Sequence, residues 1–172
     1  MALALRAAEP EPQPTIVECS GLAETTSSDT ETIAVFHDNV VVTGNNMTMY
    51  CDNLRVVATR VGDTKATLGK YGNFKSLVAI GHVKIIQIDR IALCGKAEVF
   101  PGENRVVLSD HPVVQIPSER YEASGPRMVL YRGQRRAVIE GTPTERARLT
   151  LPEIKDLAAH PTSPGEGQEP SK

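Results

Sequence analysis

The sequence predicts an all-β fold of the sandwich, roll or barrel kind, and three observations carry that prediction. Apolar residues alternate, as in Val40-x-Val42, Met47-x-Met49 and Leu54-x-Val56, which is the two-residue period of half-buried strands. Turn-formers interrupt these runs at intervals of about ten residues: Gly44-Asn45-Asn46, Asp52-Asn53, Val61-Gly62-Asp63, Pro101-Gly102-Glu103-Asn104, Ser124-Gly125-Pro126 and Arg132-Gly133-Gln134. The composition agrees, because Val, Ile and Thr are common and 13 Gly and 12 Pro are spread along the chain, a balance that favours short strands over long helices. A length of 172 residues fits one modest domain and excludes a large two-domain enzyme. Charges and glycines break every apolar run well short of the roughly 20 residues of a membrane-spanning helix. A net charge of −2 supplies no field for gathering nucleic acid, so no nucleic-acid partner is expected.

Residues 1–14 fall outside the predicted fold. Met1-Ala-Leu-Ala-Leu-Arg-Ala-Ala8, followed by Glu9-Pro-Glu-Pro-Gln-Pro14, reads as the end of a secretory signal and a Pro-rich spacer, with the basic start and longer apolar run expected upstream of Met1, the alternative being a disordered cytosolic N-terminus. Strands are expected over residues 15–151, including the run Leu93-x-x-x-Ala97-x-Val99. Residues 152–172 are expected to hold a short helix and a tail. Leu151, Ile154, Leu157 and Ala158 are spaced for about two helical turns, with Pro152 at a first-turn position. His160 to Lys172 has almost no apolar side chain to offset the entropy of ordering it, and is expected to be disordered.

The strands repeat. Val35-Phe-His-Asp-Asn-Val-Val-Val-Thr43, Leu77-Val-Ala-Ile-Gly-His-Val-Lys-Ile85 and Val106-Val-Leu-Ser-Asp-His-Pro-Val-Val114 each carry an apolar run, then Asp or Gly, then Asn or His, then a new run. A small residue and a turn-former follow thirteen or fourteen residues later, as Cys51-Asp52, Cys94-Gly95 and Ser124-Gly125. A degraded copy runs from Val138-Ile-Glu-Gly141 to Leu149 and Leu151, and the turn positions Asp38, Gly81, Asp110 and Gly141 lie 43, 29 and 31 residues apart. Each unit has one apolar face that it cannot bury alone, so stacking the units makes one elongated core.

These residues resemble the OstA-like, or LptA-like, family of lipopolysaccharide-transport domains. The family's pattern of apolar run, Gly-Asn-Val, alternating strand and small-Asp-x-Leu-x-Val is carried here by Ala34 to Thr43, Met47-Thr-Met-Tyr-Cys-Asp-Asn-Leu-Arg-Val56, Ala79 to Ile85, and Leu108 to Val114. Asp38 stands where the family usually has Gly, and His82 and His111 replace its Asn. Thr15-Ile-Val-Glu-Cys-Ser-Gly21 resembles the family's opening strand, separated from the first unit by the polar Thr25 to Thr32 stretch. The resemblance implies an open, twisted, jellyroll-like β-roll of two antiparallel sheets, a periplasmic location, and a slot that carries lipid A chains while the sugars stay in water.

No catalytic constellation is visible. His37, His82, His111 and His160 show no His-x-His or His-Glu-x-x-His spacing, and neither a nucleophile elbow nor a Gly-rich phosphate loop is present. His82 and His111 read as water-facing turn residues. Neither a metal nor a cofactor is expected. Cys19, Cys51 and Cys94 include no Cys-x-x-Cys pair. Cys51 and Cys94 occupy equivalent places in consecutive units and read as small buried thiols, with pairing in an oxidising compartment the alternative.

The candidate site is the apolar inner face, assigned to Val40, Val42, Met47, Met49, Leu54, Val56, Val83, Ile85, Ile91, Leu93, Val114, Ile116, Met128 and Leu130. Few aromatics, neighbouring methionines and the lack of Trp favour two sheets that separate along one edge to admit flexible acyl chains. Arg127, Arg132, Arg135 and Arg136, with Arg146 and Arg148 nearby, offer guanidinium groups to a phosphorylated head group, or form a solvated face. The expected function is non-enzymatic shielding of lipopolysaccharide, or a related glycolipid, in the periplasm. Expected partners are proteins of the same roll at the inner and outer membranes, including head-to-tail copies. The alternative is an assembly module with a closed core that docks edge to edge without lipid.

Overall fold

A computed structural model describes residues 13–44 and 46–153. The expected leader (but for Gln13 and Pro14), and the helix and tail beyond Glu153, lie outside these residues. Among the described residues twelve strands follow one another: β1 (Ile16–Glu18), β2 (Ala23–Ser27), β3 (Glu31–Gly44), β4 (Met47–Val61), β5 (Lys70–Gln87), β6 (Arg90–Phe100), β7 (Arg105–Ser109), β8 (Val113–Ile116), β9 (Tyr121–Ser124), β10 (Arg127–Tyr131), β11 (Arg136–Glu140) and β12 (Arg148–Thr150). All the ladders are antiparallel and belong to one open sheet.

That sheet becomes two layers because its long strands bend. The β3–β4 ladder skips between His37 and Val40, β4–β5 between Tyr50 and Asn53, and β5–β6 between Ile80 and Val83. At this corner three pairs of consecutive residues adopt left-handed backbone: Asp38-Asn39 (φ 66°, 48°), Gly81-His82 (83°, 46°) and Asp110-His111 (61°, 56°). Asp, Asn, His and Gly are the residues that tolerate this region best, which explains the repeating dipeptide in the sequence.

One layer contains β1, the half of β3 after the corner, the first half of β4, the second half of β5, the first half of β6, then β8, β9 and β12. The other contains β2, the remaining halves of β3 to β6, then β7, β10 and β11. Their facing sides share one core that includes Val40, Val42, Met49, Cys51, Leu54, Val56, Ala79, Val83, Leu108 and Met128.

Three expectations change. Asp52-Asn53 is not a turn between strands but the corner of the continuous β4, and likewise the core strands are long rather than short and even, because a left-handed pair or bulge redirects a strand without ending it. The polar Thr25 to Thr32 stretch is no mere connector. It supplies most of β2 and the start of β3, since an edge strand needs only one apolar neighbour and β-branched Thr suits a pleat. The segment Leu151–Glu153 is not helical.

Candidate functional site

The inner faces are built from cross-strand rows. Nearest the corner, Phe36, Leu54, Ala79, Ala97, Leu108, Met128 and Ile139 stand side by side across seven strands. Opposite them are the pairs Val40 with Cys51 and Val83 with Cys94. One step further out, Val17, Val42, Met49, Ile85, Ala92, Val114, Ala123 and Leu149 line the first layer. Ala34, Val56, Leu77, Val99, Val106, Leu130 and Ala137 line the second.

Burial along these rows is graded. Val42, Met49, Ala34 and Val56, on β3 and β4, are buried. From β5 onward the outer rows are only half-buried at Ile85, Ala92, Val114, Leu77, Val99, Val106 and Leu130. The interior is therefore sealed at the corner and along β3–β4, and becomes more accessible along β5 to β8 and at β10, with Ala123 on β9 still buried. No described ladder joins the far rims of the two layers.

Of the sequence-assigned residues, Val40, Val42, Met49, Leu54, Val56, Val83 and Met128 lie in the shared core, with Ile85, Val114 and Leu130 packed against it. Met47 and Ile116 are half-buried, two residues along from Met49 and Val114 on the same face. Ile91 and Leu93 are corrected. Leu93 pairs with Lys84, is 40% exposed and points outward with Ile91, while Ala92 and Cys94 point inward. The reason is a change of phase at the corner: Cys94 and Ala97 both face the core although three residues separate them, so counting back by twos from Ala97 across Gly95 lands on the wrong side. Phe36, Leu77, Val99, Val106, Leu108 and Ile139, with the row alanines and the row ends Val17 and Leu149, also belong to the inner rows and were missed. Their signal was the cross-strand register, which alternation within one strand does not reveal.

The arginines separate into three places. Arg127 is spent on Glu140 at 2.6 Å. Arg132, Arg135 and Arg136 sit at the exposed β10–β11 turn, with the Arg136 guanidinium 5.3 Å from the Tyr131 ring centre. Arg146 and Arg148 line a depression of about 310 Å³ with His111, Ser124 and Glu145.

The histidines mark the outside of the corner. His37 Nδ1 lies 2.8 Å from Asn53 Oδ1, His82 Nδ1 2.8 Å from Asp52 Oδ2, and His111 Nδ1 2.8 Å from Glu145 Oε1. The hydrogen bond and charge of Glu145 raise the His111 pKa. Cys51 and Cys94 are buried and unpaired, and burial pushes each thiol up to about 11. Among the described residues no cluster of three or more His, Cys, Asp or Glu could hold a metal ion.

No protein-family model matches the chain, and no curated protein matches it. Its fold is similar to that in a crystal structure of LptH, the LptA homologous periplasmic component of the conserved lipopolysaccharide transport device from Pseudomonas aeruginosa. The two share 19% identity and superpose with a TM-score of 0.62, over 82% of this chain and 96% of that one. The fold is thus an LptA-like, open β-jellyroll.

Proposed function

We propose that this chain is a non-enzymatic, periplasmic lipopolysaccharide-transport module that holds the acyl chains of its glycolipid between the two layers. The observation that carries the reading is the graded burial of the inner rows. Leu77, Val106, Leu130 and Ile85 pack against the core yet stay half-buried, as does Val99 beside them, so apolar side chains of the inner rows remain within reach of a ligand. Each acyl methylene buried there is worth about 0.8 kcal/mol, so several chains hold an amphiphile firmly without a catalytic group. The likeness to LptH supports the same reading through the fold.

The sugars and phosphates remain in water at the rim, where Arg132, Arg135 and Arg136 offer exposed cations to a phosphorylated head group. Export to the periplasm follows from this role. Net direction comes from an energised partner at the inner membrane, and proteins of the same roll continue the slot on either side.

The test is a photo-crosslinking amino acid at Ile85 or Val106, with Leu93 as the outward control, in cells that make lipopolysaccharide. Adducts of glycolipid at the two inner positions and none at Leu93 are expected. No adduct at either inner position overturns acyl binding and leaves a roll that docks on partners without lipid.

A further inference from the structure

The β4–β5 hairpin runs past the rest of the sheet. The β3–β4 ladder stops at Glu31 and Thr59, and β6 joins β5 only from Leu77. Beyond that ladder Arg60 and Val61 pair with Tyr71 and Lys70, and the Arg60 N–H also donates to the Thr30 carbonyl at 2.8 Å, so the hairpin becomes two-stranded from Val61 outward. On this projection Val61 is 51% exposed, Leu68 78%, Tyr71 45% and Phe74 46%, and the Tyr71 and Phe74 rings stack at 6.5 Å. Single exposed apolar residues are ordinary, but a stacked aromatic pair with an exposed leucine three residues before it on one projecting hairpin marks an interaction surface.

The tip is a built feature. Arg60 donates to the Ser28, Asp63 and Ala66 carbonyls at 3.2, 2.9 and 2.6 Å, which fixes the connecting loop against the start of β3. Gly72 separates the two aromatics because a Cβ there would lie 2.4 Å from Thr59 Oγ1 and 2.6 Å from Val61 Cγ2.

The charge is one-sided. Arg60, Lys65, Lys70 and Lys75 stand against Asp63 alone over residues 60–75, in a chain of net charge −2. Lys75 pairs with Glu31, whereas Lys65 and Lys70 have no ion-pair partner among the described residues. Protein-docking patches are depleted in lysine. Aromatic rings and a leucine among lysines are instead what an anionic bilayer surface selects: the rings and Leu enter the headgroup boundary while the ammonium groups meet lipid phosphates.

We propose that the β4–β5 tip is a membrane-surface contact that inserts Leu68, Tyr71 and Phe74 into the headgroup region of an anionic bilayer. It does not depend on what the slot carries. The chain has no Trp, so Leu68→Trp gives a single fluorophore. With vesicles of phosphatidylcholine containing phosphatidylglycerol, its emission should shift to the blue and be quenched by brominated lipid, and the unsubstituted protein should co-sediment with them. Leu68→Ser with Phe74→Ser should abolish co-sedimentation while circular dichroism and melting stay those of the parent. Lys65→Glu with Lys70→Glu should lower partitioning by roughly tenfold or more, and salt should do the same. Failure of the parent protein to bind these vesicles, or equal binding by the variants, overturns the proposal and leaves the tip as a protein-docking surface.

Discussion

His82 Nδ1 and Asp52 Oδ2 meet at 2.8 Å across the corner of the sheet, and that same carboxylate oxygen lies 2.2 Å from where a Cβ on Gly81 would stand. The corner is thus a close approach of two strands, with φ +83° at Gly81 as a second demand for glycine. Gly81→Ala is expected to cost roughly 2–4 kcal/mol, from left-handed alanine and from the displaced Asp52. Asp52→Ala in the same chain should return part of that loss, because it removes the clashing carboxylate. Denaturant unfolding of the four-member cycle measures it, and strictly additive losses would show that the two residues do not share the corner.

Met49 is 2% exposed in the core, while its neighbour Thr48 lies on the outer side beside Ile86. Met49→Asp places an unpaired charge between the layers and should cost about 3–5 kcal/mol, against less than about 1 kcal/mol for Thr48→Asp. Equal melting temperatures would invert the register assigned to β4.

The thiols of Cys51 and Cys94 have pKa values near 11 because they are buried. In the folded protein they should resist alkylation at neutral pH and react only on unfolding. A raised thiol pKa favours the neutral form of the native state, and the unfolded state releases these protons first. Stability should therefore fall as pH rises from the ordinary 9.0 towards about 11. Cys51→Ala with Cys94→Ala should flatten the unfolding-versus-pH curve over that window.

His111 and Glu145 connect the corner to the segment before β12. The carboxylate raises the His111 pKa, with Asp110 adding to it. The stabilisation is fully present below the ordinary 6.5 and is lost as pH rises through the higher folded value. An NMR titration should give His111 a midpoint above that value, and Glu145→Gln should bring it down. An unchanged midpoint in the variant would remove Glu145 as the cause.

Where sequence was readable, physics was local. Val40, Val42, Met47 and Met49 flank a tight turn, so alternation placed them on the correct side. The repeating Asp38-Asn39, Gly81-His82 and Asp110-His111 pairs announced a recurring backbone event, but its kind was hidden. Left-handed pairs usually end strands, and here they bend them. That bend explains why Leu93 was assigned inward: its parity relative to Ala97 depends on the ladder skip at Gly95, which no single strand encodes. The graded opening from β5 onward was equally hidden, because Ile85 and Val42 look alike in sequence and differ only in which strands cover them.

The second-row wall of the first layer ends at Leu149, which is 48% exposed on the edge strand β12, and at Val17 on the edge strand β1 at the other end, where the outward neighbour Ile16 is 54% exposed. An apolar row that stops at an unpaired edge is completed when another strand is added there, and backbone groups on that edge supply the ladder. Of the two edges, β12 has the stronger blocking charge, Arg148 on the strand and Arg146 just before it, which limits pairing to a partner with matching carboxylates. Leu149→Glu should leave melting almost unchanged, since the residue is half in water already, yet weaken self-association or capture of a partner of the same fold. Light scattering and pull-down measure this. Association that survives Leu149→Glu but is lost on Ile16→Glu would place the contact at β1, and association untouched by either would remove both edges from the path of the lipid.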